Sequence, residues 1–455
     1  MIDSVRSAFS LPDLRRRILL TVFLLVIYRL VANIPVPGVN LEAWLQFTSD
    51  ASAGDNQVIY FLDFLSGGAV RNFSVMAMGV YPYITASIIV QLLTPIIPQF
   101  QELASEGESG RNKLNRYTYY MTVPLALLQA VGQINLIGLS TGNMEVIMPN
   151  FGFEPGQILP TLTTLAAMLG GTMFAIWLGE MITEDGIGQG ISLIIFGGIV
   201  SGILPNIARM FAMPDMAARI FTIVAFVIIT LLTIFVIVVI QEGQRRIPVQ
   251  YGRRVRGRKV YQGQSSYIPL KVNTAGMIPI IFAQSILTLP PLLAGLFVTG
   301  SGSVIDSIAT TVAGFGSAQP DTNPGTFIVY WLTFFLLVVG FTFFYTDVMV
   351  QQQNIPQSLQ RQGGFIPGIR PGKRTADYVM AVVRRITFAG AVFLGTIAVL
   401  PGIMQGLGTI LNLPGIQQSV LVVSGSGLII VVGVVIDTMR QLESQLLMRN
   451  YEGFI

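Results

Sequence analysis

The chain has 455 residues, 52% apolar and only 11% charged, with a mean hydropathy of +0.66 and a net charge of +4. A soluble domain carries about 25% charged residues, so too little charge is present to cover a wetted surface, and a fully soluble protein is excluded. With no Cys and no His, disulfide frameworks, thiol nucleophiles, imidazole bases and the common zinc sites are excluded as well.

A membrane-crossing helix needs about 20 mainly apolar residues. Ten such runs are predicted: 18–36, 74–98, 117–139, 158–180, 187–205, 218–241, 274–298, 326–349, 386–406 and 418–438. The first follows Arg15, Arg16 and Arg17 and has no small-residue cleavage site after it, so it reads as a retained span rather than a signal peptide. Ahead of the second lies Tyr60-Phe61-Leu62-Asp63-Phe64-Leu65-Ser66-Gly67-Gly68-Ala69, apolar enough to enter a membrane and too short to cross it. Two readings stand here, an interfacial loop and a re-entrant half-helix. Between the fourth and fifth runs only Glu180 to Gly190 interrupts the apolar text, while Ile220 to Ile240 is nearly unbroken Val, Ile, Leu, Phe and Thr.

Orientation follows the basic residues, which cytoplasmic loops retain. With the N-terminus inside, 23 of the 27 Lys and Arg fall on the cytoplasmic side, which places both termini there. Arg71, Arg209 and Arg219 lie opposite, and Arg29 lies within the first span. The organisation expected is 1–241 for spans one to six with the 61–72 segment, 242–273 a basic loop, 274–349 spans seven and eight, 350–385 a second basic loop, 386–438 spans nine and ten, and 439–455 a tail.

Span two carries Gly79-Val80-Tyr81-Pro82-Tyr83-Ile84-Thr85-Ala86 and span seven carries Gly276-Met277-Ile278-Pro279-Ile280-Ile281-Phe282-Ala283. They share G-x-x-P-x-I-x-A at an offset of 197 residues. Five spans per half turn the second copy upside down, with the repeat boundary near residue 212, a design found in conduits and in secondary transporters. A coupled transporter of a small solute needs ionisable groups at mid-membrane, and only Arg29 is a candidate. Gly252-Arg-Arg-Val-Arg-Gly257-Arg-Lys259 lacks the Gly-Lys-Ser/Thr of a phosphate loop. No catalytic residue, metal site or cofactor is expected.

The motifs are then specific enough to carry a resemblance. Phe64-Leu-Ser-Gly-Gly-Ala69, Pro82-Tyr-Ile-Thr-Ala-Ser-Ile-Ile89, Glu106-Gly-Glu-Ser-Gly110, Gly186-Ile-Gly-Gln-Gly-Ile-Ser192, Pro269-Leu-Lys-Val-Asn273, Phe365-Ile-Pro-Gly-Ile-Arg-Pro-Gly372 and Tyr451-Glu-Gly-Phe454 run in order along the chain. Together they resemble the SecY family, channel subunits of the bacterial protein translocon. The resemblance implies an all-α polytopic membrane protein: ten helices in two inverted five-helix halves, closed like a clamshell, with a re-entrant plug half-helix over residues 61–72.

It further implies a pore ring of Val80, Ile84, Ile195, Ile281 and Ile430, with Val80 smaller than the Ile common there. A plug carrying Phe61, Phe64, Leu65, Ser66, Gly67 and Gly68 would lie beneath it. A ring of aliphatic groups dewets when empty and grips no particular side chain; for any one of these residues, plain core packing is the competing reading. Sideways opening between spans two and three and spans seven and eight would involve Gln91, Gln129 and Asn273, either as a latch or as a permanent structural cluster. Arg253, Arg254, Arg256, Arg258, Lys259, Arg370, Lys373 and Arg374 would dock the SecA motor or the ribosome. The other implied partners are the small subunits SecE and SecG, signal sequences, nascent chains and anionic lipids, in a bacterial plasma membrane.

Overall fold

The computed structural model describes residues 11–452 except 50–62, 64, 65, 67, 142–143, 153, 212–215, 252–253, 257–258, 262–264, 298–303, 318–322, 354–358, 360, 362–363, 371 and 411–424. The helices are α1 (Pro12–Val31), α2 (Leu41–Ser49), α3 (Tyr81–Leu93), α4 (Pro98–Ser105), α5 (Glu108–Thr141), α6 (Ile158–Asp185), α7 (Gly190–Phe211), α8 (Met216–Glu242), α9 (Ile278–Ala294), α10 (Val304–Ala313), α11 (Pro324–Gln353), α12 (Lys373–Ile410) and α13 (Gly425–Glu452), with a single helical turn at Met144–Ile147.

Among the described residues, five helices are long and apolar enough to cross a membrane: α5, α6, α8, α11 and α12. A sixth arises if α3 and α4, bent by 100°, count as one broken span. The other predicted spans depart for local reasons. Asp13 and the three arginines at 15–17 lie inside α1 rather than before it. The apolar helix α9 has only 17 residues, and the start of the tenth predicted span lies outside the described residues. The second predicted span shrinks most. Residues 75–80 are turns, and the helix begins only at Tyr81, where Pro82 occupies the first turn and needs no intrahelical donor.

One buried apolar cluster runs through the bundle and draws on α1, α2, α3, α5, α6, α7, α8, α9, α11, α12 and α13. The helices α11 and α12 form the most extensive pair. Gly395 and Gly402 permit it: an added Cβ would lie 2.7 Å from the Phe335 ring and 2.3 Å from the Trp331 ring. In contrast, α8 leaves Ile228, Leu231, Leu232, Phe235 and Val239 exposed along its length. An apolar face of that size is costly in water and suits lipid contact.

The bundle is helical, yet the two basic loops are not separate handles. Strand β1 (Gln244–Tyr251) pairs antiparallel with β4 (Ser265–Lys271), in register Ile247 to Ile268, and with β5 (Gly364–Phe365), in register Gln250 to Phe365. Residues 242–273 and 350–385 are thereby joined in one three-stranded sheet. Between β1 and β4, β2 (Arg254–Arg256) and β3 (Lys259–Tyr261) form a small hairpin. The sheet has its own apolar core of Ile247, Val249, Leu270, Val350, Leu359, Ile366, Val379 and Val383.

Candidate functional site

The two copies of G-x-x-P-x-I-x-A take one local structure. Gly79 and Gly276 are both left-handed, at φ +50° and +65°. Each precedes a helix whose second residue is proline (Pro82, Pro279) and whose fourth is isoleucine (Ile84, Ile281). Helix α9 packs on both α3 and α5, while α7 packs on α13. The first five and last five predicted spans meet along these contacts. Val80, immediately before α3, joins Ile84, Ile195 on α7, Ile281 and Ile430 on α13 in the central cluster, none more than 8% exposed.

Of the plug positions, Phe61, Phe64, Leu65 and Gly67 lie outside the described residues. The remainder are held by a dense set of polar contacts. Asp63 is helical and buried, and its carboxylate accepts from the Arg71 backbone N–H at 3.1 Å and from Arg71 Nε at 2.7 Å. Its carbonyl receives the Ser66 hydroxyl at 3.0 Å and the Gly68 N–H at 2.7 Å. Gly68 has φ +83°, a conformation that favours glycine, and lies beside Arg29, whose guanidinium nitrogen would be 3.2 Å from an added Cβ. A 3-10 turn, Val70–Asn72, then leads to Phe73, whose φ of +40° is the one left-handed non-glycine among the described residues. Arg29 lies in the last turn of α1 beside this segment, not at mid-span as expected.

The three amides of the expected seam do not come together. Gln91 is exposed near the end of α3 and donates to Ser87 on its own helix at 3.0 Å. Asn273 is buried but precedes α9, where it donates to the Gly276 carbonyl at 3.0 Å. Gln129 alone bridges helices, donating from α5 to Thr85 on α3 at 3.3 Å. The polar contacts that do cross between the two groups of helices are different ones. The buried Tyr81 hydroxyl donates to the Ser285 carbonyl at 3.1 Å, and Asn135 donates to the Gly295 carbonyl at 2.9 Å. Beside them Gly132 lets α5 approach so closely that a Cβ there would be 2.3 Å from the Leu292 carbonyl oxygen. Gln133 is 1% exposed, and neither atom of its amide meets a partner among the described residues.

The basic residues occupy the sheet and the base of α12. Arg254, Arg256 and Lys259 lie on the β2–β3 hairpin, whereas Arg253 and Arg258 fall outside the described residues. Arg370, Lys373 and Arg374 are exposed at the N-terminal end of α12, and the Arg370 carbonyl receives the Thr375 hydroxyl at 3.0 Å. On the sheet itself Arg246 sits over the Tyr267 ring, 4.8 Å from its centroid.

The short link from α6 to α7 is a packing joint built on glycine. An added Cβ at Gly186 would be 2.5 Å from Thr21 Oγ1 of α1, one at Gly188 3.1 Å from Thr438 Oγ1 of α13, and one at Gly190 1.8 Å from the Gly179 carbonyl of α6. Gly188 also has φ +91°. The Ile187 N–H donates to Thr21 Oγ1 at 3.1 Å, and Ile187 packs with Leu14 and Leu442 in a small separate core.

Comparison with known proteins agrees with this architecture. A protein translocase subunit SecY from Mycobacterium bovis is 41% identical over 460 residues, covering all of both chains. A solved structure described as a protein conducting channel superposes with a TM-score of 0.61 at 18% identity, covering 94% of this chain and 91% of that one. Sec61 in the canine ribosome-channel complex from the endoplasmic reticulum gives 0.59 at 19% identity with the same coverage. The family model described as SecY matches residues 74–439, and the chain belongs to the SecY family.

Proposed function

We propose that the chain is the channel-forming subunit of a protein translocon in a bacterial plasma membrane, with both termini cytoplasmic. Unfolded polypeptide passes through the centre of the bundle, and apolar segments leave sideways between α3 and α5 on one side and α9 and α11 on the other. The observation that carries this reading is that Val80, Ile84, Ile195, Ile281 and Ile430, on or beside α3, α7, α9 and α13, are all buried in the one apolar core where these helices meet, in a chain of the SecY family. Such a constriction excludes water and ions when empty and accepts any side chain in transit.

The basic sheet and the base of α12 are read as the docking surface for a SecA motor or for the ribosome, whose RNA phosphates would be held salt-dependently. Family membership supports SecE and SecG as small partner subunits, with anionic lipid at the basic loops. Transport energy then comes from the partner and not from this chain. The transporter reading draws no support from the family. Purified complex in proteoliposomes decides between them: uptake of a secretory precursor that requires added motor and ATP supports the channel, and small-solute flux by the chain alone refutes it.

A further inference from the structure

We propose that Tyr28 and Trp44 are positioning residues that hold the plug segment by its backbone carbonyls, one on each side of Gly68. The proposal rests on the reading above that residues 61–72 seal a channel. On the N-terminal side the Tyr28 hydroxyl, from the end of α1, donates to the Ser66 carbonyl at 2.5 Å. On the C-terminal side the indole N–H of Trp44, from α2, donates to the carbonyls of Val70 at 3.1 Å and Arg71 at 2.8 Å. Both aromatic residues are buried, at 2% and 0% exposure.

The two holds differ in strength. Trp44 grips two carbonyls and stacks edge-on against Phe73, with centroids 5.2 Å apart and planes at 87°. Phe73 is pinned further by its carbonyl, which receives the Val36 N–H at 2.9 Å. Residues 70–73 are therefore a fixed root. Among the described residues, Ser66 is hydrogen-bonded to the rest of the protein through the Tyr28 hydroxyl, since its own hydroxyl serves the segment internally: it donates to the Asp63 carbonyl and receives the Val70 N–H at 3.3 Å. Tyr28 is thus the catch and Trp44 the anchor. The Asp63–Arg71 pair folds the segment back onto its root and is internal to it. Because both residues bind carbonyls, the hold does not depend on which side chains the plug carries.

The test uses the full translocon complex in planar bilayers with no chain in transit. Deletion of 61–69 is the positive control for the sealing role. Tyr28→Phe keeps the ring and removes one buried hydrogen bond, so the fraction of time spent leaking should rise roughly two- to twelvefold. Trp44→Phe keeps an aromatic ring against Phe73, loses both bonds and should leak at least as much. The chain has no native Cys, and Ala69 in the same segment is buried, so Ala69→Cys gives a second readout: an impermeant maleimide added from the plug side should label it faster in both variants. A merely structural role for the hydroxyl would leave labelling unchanged. If the deletion leaks while Tyr28→Phe changes neither leak nor labelling, the catch is overturned and the sealing role stands. A deletion that leaks no more than the parent chain overturns both.

Discussion

Tyr81→Phe is the cleanest probe of the contact between the two groups of helices. The substitution keeps a fully buried ring in place and deletes only the hydroxyl that donates 3.1 Å to the Ser285 carbonyl, 204 residues away in sequence. Hydrogen bonds between membrane helices average about 0.6 kcal/mol and reach about 1.7. If this bond exists only in the closed state, its loss should raise the ratio of open to closed channels about threefold, and at most about eighteenfold. Asn135→Leu removes the second bridge, to the Gly295 carbonyl at 2.9 Å, and should act by a similar factor. The two bonds share no atoms, so the double variant should approach the product, about ninefold at the average value. Export of a precursor with a crippled signal sequence reads this ratio directly, because easier opening compensates for a weak signal. A double variant no better than either single one, with all three at the parent level, would mean that these bonds do not span the surfaces that part.

Replacing Ile84 and Ile281 together with Ser should wet the waist and raise ion conductance. Combining that with deletion of 61–69 should give more leak than the sum of the two changes, since each seal alone still blocks; additive conductance would show that they are not in series. Gly402→Ala places a methyl 2.3 Å from the Trp331 ring and should lower the thermal midpoint of the detergent-solubilised complex, by about 1–3 kcal/mol in stability as for other overpacked cores; an unchanged midpoint would refute the close packing. Arg370→Glu should weaken motor-driven export of a precursor while leaving membrane insertion of the chain intact, and Arg258→Glu with Lys259→Glu should lower ribosome affinity and flatten its salt dependence. Unaltered export and binding would remove the basic surface from the mechanism.

The centre of the bundle was legible in the sequence because its constraints are local. Gly79 and Gly276, Pro82 and Pro279, Ile84 and Ile281 state a left-handed turn, a helix start and an inward side chain in eight residues each. Gln91 was placed at the seam by the family resemblance and not by a local pattern, and on α3 it is exposed. It stands two turns beyond Ile84 on the same face, but α3 has by then left the core, and Leu92 and Leu93 beside it are only half-buried. Asn273 was assigned to a helix that begins five residues later. The sheet had a signal in the alternation of Ile247 and Val249, buried, with Arg246, Pro248 and Gln250, exposed. Its register had none, because β5 pairs with β1 from more than 100 residues away. The contacts on the backbone of residues 66–71 were equally illegible. Tyr28 and Trp44 act on backbone carbonyls, and a carbonyl acceptor leaves no mark on the residue that supplies it.

The link between α6 and α7 has a mechanical consequence. Gly186 abuts α1, Gly188 abuts α13 and Gly190 abuts α6, each with less clearance than a methyl group needs. A point where three rods touch without slack behaves as a knuckle: rods can tilt about it, but none can be withdrawn alone. Helix α6 has 28 residues and ends at this point, so its far end stands about 42 Å away. A tilt of about 5° here would displace that end by about 4 Å. Gly171, midway along α6, is as tight against the Val75 carbonyl, so such a tilt would be felt first by the turns that precede α3.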